Sequence, residues 1–361
     1  MKRAGVFLEV TLTAIVCAGL YAWTAGVRPG QLAAPIVARS NPPGPRYDVI
    51  ALGWDELGRV SQISDAGHAC GGGRLGANPM VPVVWREGVT EQLGLHGGAF
   101  GEVVAFDHEG AAVAAIGRPY SHPQWSAVRH PHGAQPQCLA GDPRPGVSCR
   151  PYGANRMGAI VGAICDEQGN THAFVWHADA GMTVLDGPRS CATDVNDHGV
   201  VVGFVCTDDG REVGRLWEPD ADGGYSATDL TGPDGPALHP AAINNRGTVV
   251  GWLSSEAPFR WDARAGLVEL PTVNRYGLGR AVAVSEQGEA LGFWTSSAGA
   301  RAMLWREDRA IDLNCCIDPA SGWELMQATA INADGIIGCV ALRNGEDQDA
   351  VLLVPRVIAP L

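Results

Sequence analysis

The sequence predicts an all-β fold, a seven-bladed β-propeller of four-stranded blades. Three observations predict it. A strand ending in tryptophan recurs along the chain, a polar turn ending in glycine recurs with it, and the fourth-strand pattern missing from the last copy stands in front of the first.

The tryptophan strand ends at Trp85, Trp176, Trp217, Trp261 and Trp305, in VPVVW, HAFVW, VGRLW, PFRW and AMLW. The gap between the first two is twice the usual step, and a degenerate copy, SAVRH, fills it and ends at His130. A last copy, DAVLL, ends at Leu353, so the steps are 45, 46, 41, 44, 44 and 48 residues. One large aromatic per copy at a fixed strand position suits packing between neighbouring units better than a sugar-stacking platform.

The second marker gives the same count. The turns SDAG, DHEG, NRMG, NDHG, NNRG, SEQG and NADG end at Gly67, Gly110, Gly158, Gly199, Gly247, Gly288 and Gly335. An Asx or Ser side chain opens such a turn by bonding its own backbone, and glycine takes the positive-φ position. Short apolar strands precede the turns (ATDVN, AAIN, AVAVS, ATAIN), and runs such as AIVG, VVVG and TVVG return from them. The tryptophan segment is the third strand, and GVTEQLG, GMTVLDG, YSATDL, GLVEL and AIDL are fourth strands. Four strands per roughly 45 residues is the pattern of a propeller blade.

Copy seven ends without a fourth strand, and Tyr47–Gly53 (YDVIALG) has that pattern. A strand from the N-terminus completing the last blade removes the exposed edges of a ring. The alternatives are a six-bladed ring with copy two as an insertion, or an open stack of β units.

THAFVWHADAGMTVLDG followed by CATDVNDHGVVVGF resembles the repeat of the HAF family of extracellular repeats, with His172, Ala173 and Phe174 as the naming triplet. PAAINNRGTVVGW and QATAINADGIIGC are similar to its second half. The resemblance covers most of residues 47–355, is clear in copies three to seven, weaker in copy one and nearly lost in copy two. It implies an exported repeat protein and brings no catalytic residues with it.

Residues 1–27 read as a signal peptide or an uncleaved anchor: Lys2 and Arg3 precede a mostly apolar Val6–Val27 broken by Glu9. Trp23 at −3 makes cleavage after Ala25 a poor fit, and Val16 before Cys17 is large for a lipoprotein site. Residues 28–46 are a Pro-rich linker, and 47–361 form the repeat domain. The expected location is therefore periplasmic, cell-surface or secreted. A net charge of −13 argues against a nucleic-acid footprint and against docking on anionic lipid, so membrane contact is expected only through the N-terminus.

Ten cysteines in an exported chain suggest disulfides, and nine remain without Cys17. Cys149 and Cys165 flank one turn and Cys191 and Cys206 the next, so each pair is expected to bond across its hairpin. The first pair requires a bulge, because copy three has an extra residue before its turn. Cross-pairing between the two blades is the competitor. Cys70, Cys138, Cys315, Cys316 and Cys339 are left unassigned, although one of the adjacent Cys315 and Cys316 could reach Cys339.

The segment from Arg118 to Cys149 departs most from the repeat and holds Tyr120, His122, Trp125, His130 and His132. With Trp323, these six are the candidate binding residues, Trp125 and Trp323 because they fall off the tryptophan register. The histidines with Cys138 match no metal spacing, and EPDADGG (218–224) reads as a turn rather than a calcium loop. No nucleophile elbow, P-loop, HExxH or CxxC occurs, so no catalytic residue, metal or cofactor is assigned.

The reading favoured is a non-enzymatic binding module. It uses the loops after strands two and four (residues 94–101, 117–126, 135–150, 231–239 and 314–325) to hold a protein, peptide or carbohydrate. A hydrolase or lyase acting on extracellular polymer, and a structural protein of the cell envelope, are the alternatives.

Overall fold

A computed structural model describes residues 47–54, 58–74, 79–118, 124–141, 148–272, 277–297, 299–307 and 309–356. Seven four-stranded antiparallel sheets follow one another along the chain. Their first strands are Arg59–Ile63, Phe100–Phe106, Ser148–Ala154, Ser190–Val195, Leu238–Ile243, Leu278–Val284 and Trp323–Ile331. Each touches the next around a ring, and the seventh touches the first. The fold is a seven-bladed propeller, with the first strands lining a central channel.

The ring closes as the sequence predicts. Tyr47–Ala51 is the outermost strand of blade seven, antiparallel to Asp347–Pro355, with Tyr47 opposite Pro355 and Ala51 opposite Val351. The chain then crosses to blade one through Trp54, which is fully buried between blades seven and one. The Asp349 carboxylate accepts from the Trp54 amide at 2.8 Å and the Gly53 amide at 3.2 Å. The indole Nε1 of Trp54 donates to Thr90 Oγ1 at 3.0 Å. Trp54 leaves no space for side chains on blade one: a Cβ at Gly73 would stand 2.9 Å from the Trp54 Cβ. This accounts for Gly73 at the end of the strand Ala69–Gly73.

The core is a set of interfaces between blades. Trp176 packs on Ala105, Val113 and Ala127 of blade two, Trp217 on Val161 and Val175 of blade three, and Trp305 on Ala242, Val250 and Leu270 of blade five. His130 takes the same register position in blade two: it faces Ala112 as Trp176 faces Ile160 and Trp217 faces Val201.

The repeated turn has a further use. In Asn155, Asn196 and Asn244, Oδ1 accepts from the amides two and four residues on. The free Nδ2 donates to the turn of the following blade: Asn155 to Asn196 O (2.7 Å), Asn196 to Asn244 O (3.0 Å) and Asn244 to Ser285 O (2.8 Å). Asn332 donates to Ser64 O at 3.1 Å, from the last blade to the first. Aspartate has no such donor, and Asp107 of blade two bonds Arg129 instead.

Every first hairpin carries a bulge, not only that of copy three. The bulge presses the carbonyl of the residue five before the turn onto the facing strand. A Cβ at Gly71, Gly162, Gly203, Gly251 or Gly292 would collide with it, so in these five blades the glycine after the turn is a steric requirement.

The expected disulfides are not formed: none of the nine described cysteines is in a disulfide. The register explains it. Cys149 faces Ile164 while Cys165 faces Ser148, so the two thiols leave the sheet on opposite faces. Cys191 faces Phe204, and the Cys206 amide bonds Arg189 O, which puts the second pair on a diagonal. Diagonal partners are roughly 7–8 Å apart, beyond the usual disulfide span. Burial pushes the Cys149 thiol up to about 12 and the Cys206 thiol to about 11, so both stay protonated.

Trp54→Ala is expected to lower stability by about 3–5 kcal/mol, the cost of an unfilled aromatic cavity. Urea unfolding of the full chain measures it, and a loss below about 1 kcal/mol would show that the ring closes without this contact.

Candidate functional site: the central channel

The channel has a volume of about 580 Å3 and is lined by one short stretch from each blade. Its wall follows from numbering back from the first turn residue, Ser64, Asp107, Asn155, Asn196, Asn244, Ser285 or Asn332. The bulged residue three before the turn lines the channel in every blade: Ser61, Val104, Tyr152, Thr193, Ala241, Val282 and Thr329. The residue after the turn's first forms the mouth on the turn side: Asp65, His108, Arg156, Asp197, Asn245, Glu286 and Ala333. Arg156 crosses this mouth, with Nη1 2.6 Å from Asp65 of blade one and Nη2 2.6 Å from Asp197 of blade four. Asp197 also accepts from Asn245 Nδ2 at 2.8 Å.

Toward the opposite mouth, the position five before the turn holds Arg59, Glu102, Arg150, Cys191, His239, Arg280 and Gln327. Arg150 is buried: Nη2 donates to Glu102 Oε1 at 3.1 Å, and the guanidinium lies 4.0 Å from the Trp125 ring and 5.2 Å from Tyr152. His239 is stacked on Trp252 at 4.2 Å, tilted on Phe204 at 4.5 Å, and held through Nδ1 by Glu212 at 2.9 Å. Arg280 is paired with Glu256 and lies over Trp252. The Nε of Arg59, the Nε of Arg150 and the Nε2 of His239 are buried without a hydrogen-bond partner.

Asp194, two before its turn, is a second acid of the channel wall beside Glu102. Oδ2 accepts from the Ile243 amide of the following blade and Oδ1 from Val195, both at 2.9 Å. Gln62 does the same in blade one, accepting from the Phe106 amide at 2.6 Å. Desolvation outweighs these bonds and pushes the Asp194 carboxyl up to about 7.

The four described candidate binding residues do not form one site. Tyr120 and His122 lie outside the described residues. Trp125 and His130 stand at opposite ends of one strand, Gln124–His130. The Trp125 ring meets Phe100 edge-on at 5.3 Å and covers Arg150, so it borders the channel. His130 packs on His96 at 4.8 Å, and burial pushes its imidazole down to about 4. His132 is exposed in the following loop. Trp323 starts the first strand of blade seven, on the same face as Trp125, with Arg343 5.6 Å from its ring. Among the described residues no three His, Cys, Asp or Glu side chains gather as a metal site. Asp220 of EPDADGG spends its carboxylate on the amides of Asp222 and Gly224, as a turn does.

The residues that converge on the channel (Arg59, Arg150, Asp194, His239 and Trp252) are not among the sequence candidates. Aligning the seven copies on the turn brings out four of them, Arg59, Arg150 and His239 at the fifth position before it and Asp194 at the second, while Trp252 lies in a second strand.

No family model and no curated protein matches the chain. Solved structures do match. YCF48 bound to D1 peptide is similar at 12% identity and a TM-score of 0.55, covering 90% of this chain and 99% of that one. A prolyl endopeptidase is similar at 12% identity and a TM-score of 0.52, covering 96% of this chain and 56% of that one. At such identities the likeness is one of fold.

The folded Asp194 carboxyl titrates well above its ordinary 3.8, so the fold favours its protonated form. Stability from this group is full below the unfolded pKa and is lost as pH rises through about 7. Asp194→Asn keeps an acceptor for Ile243 and is expected to remove this loss. Urea midpoints for both proteins across that pH range check it, and parallel curves would place the carboxyl in an ordinary environment.

Proposed function

We propose that this is an exported, non-enzymatic binding module of the HAF repeat type, which holds a peptide or carbohydrate at the loop-bearing mouth of its channel. One observation carries the reading. The tryptophans that keep the repeat register are used up between blades, while off-register aromatic and cationic groups, Trp125, Arg150, Tyr152, Trp252 and His239, gather at one end of the channel. Rigid aromatics beside polar groups with few partners are the usual make-up of a recognition surface. The similar ring of YCF48 was solved with a peptide bound. Export rests on the N-terminal segment and the family resemblance.

An array of short acidic, basic and neutral peptides and of oligosaccharides, probed with the full chain, tests the reading. Selective retention is expected, weakened about tenfold or more by Trp125→Ala or Trp323→Ala, as for hot-spot aromatics. A binding pattern that neither substitution changes, or cleavage of an arrayed polymer, would overturn it.

A further inference from the structure

The position five before the turn, compared across the seven blades, has an unbalanced charge. It carries three arginines and one glutamate, in a chain whose net charge is −13. Arg280 is matched by Glu256, and His239 by Glu212. What remains is Arg59, Glu102 and Arg150 on three consecutive blades. Glu102 bonds Arg150, and Arg59 has no carboxylate partner among the described residues. Glu102 packs where Gly72, the cross-strand partner of Arg59, leaves room: a Cβ there would be 3.1 Å from the Glu102 Cβ. Two guanidiniums thus stand at one level of the channel with one carboxylate, which bonds Arg150 alone, and each keeps a buried Nε–H without an acceptor.

A buried donor without a partner costs roughly 1–3 kcal/mol, more when charged. Both donors lack an acceptor, both residues line the channel, and the residual charge gives the sign of the group that would supply one. Arg150 lies 4.0 Å from the Trp125 ring and 5.2 Å from the Tyr152 ring and is bonded to Glu102, so its fork is restrained before any ligand arrives. A planar fork fixed in this way matches a carboxylate better than a point charge does.

We infer that the loop-side end of the channel is a carboxylate-binding site, in which Arg59 and Arg150 clasp one ligand carboxylate on either side of Glu102. The Trp125 and Tyr152 rings flank the bound group. His239, with Trp252 behind it, forms the wall two blades further on. The inference rests on the binding-module reading and names the chemical group that module recognises.

Calorimetry on the full chain tests it with two matched pairs of probes, N-acetylglutamate against N-acetylglutamine and glucuronate against glucose. At least one acid is expected to bind at least about tenfold more tightly than its neutral partner. Preference for the first acid identifies a peptide source, and for the second a sugar source. Arg59→Gln is the primary variant, because Arg59 supports no ion pair among the described residues. It is expected to weaken the acid about tenfold, leave the neutral probe unchanged and leave the melting temperature unaltered. Arg150→Lys keeps the charge but loses the fork, and is expected to fall between. Equal binding of acid and neutral partner would overturn the carboxylate site while leaving the binding module standing. Wild-type affinity in Arg59→Gln would do the same. Absence of heat with all four probes, alongside selective retention on the array, would also refute the site and only the site.

Discussion

The extra residue in each innermost strand is the constraint on which the rest of the molecule depends. By bulging three positions before the turn, it sends one side chain per blade into the channel. It pushes the carbonyl of the residue two earlier against the second strand, where only glycine fits in five of the blades. It also shifts the register so that the turn side chain reaches the neighbouring blade. In blades one and four, Gln62 and Asp194 reach on to a backbone amide of the following blade. Bulge, turn asparagine and glycine are therefore one mechanical unit, and that unit is the Ala-Ile-Asn…Gly…Val-Gly half of the repeat.

Much of the fold was legible because that unit leaves fixed letters. The turn glycines all take positive φ, between 73° and 92°, and the tryptophans fill equivalent interfaces between blades. The closing strand was legible because an unpaired edge must be covered. The disulfides were misread because symmetry of spacing about a turn is not symmetry of register: one extra residue turns Cys149 and Cys165 to opposite faces. Sequence distance is an equally poor guide to the candidates of blade two. Residues near in sequence along Gln124–His130 end at opposite faces of the ring, while Arg150, distant from Trp125 in sequence, stacks on it.

The channel wall was hidden by the same regularity that revealed the ring. Attention to what repeats favours positions fixed by packing, and a binding group need not repeat. Blade two shows how this works. It has lost its tryptophan, its turn asparagine and most of its fourth strand, now Gln137–Cys138. Within the blade, Arg129 joins Asp107 and Glu109 of the turn. The blade that departs furthest from the repeat is also the one that supplies Trp125 and Glu102 to the channel.

Whether the buried arginines are a requirement of the fold can be judged from the other copies. At the same position, blade four has Cys191 and blade seven has Gln327, and both blades keep the bulge and the four-stranded sheet. The architecture accepts an uncharged residue there. A guanidinium brought into a confined channel loses hydration, and the one carboxylate at this level bonds Arg150 alone. Because the backbone tolerates neutral side chains at this level, the charge at Arg59 and Arg150 is not explained by packing. A negatively charged ligand group entering from the loop face would supply the missing acceptor and balance the charge.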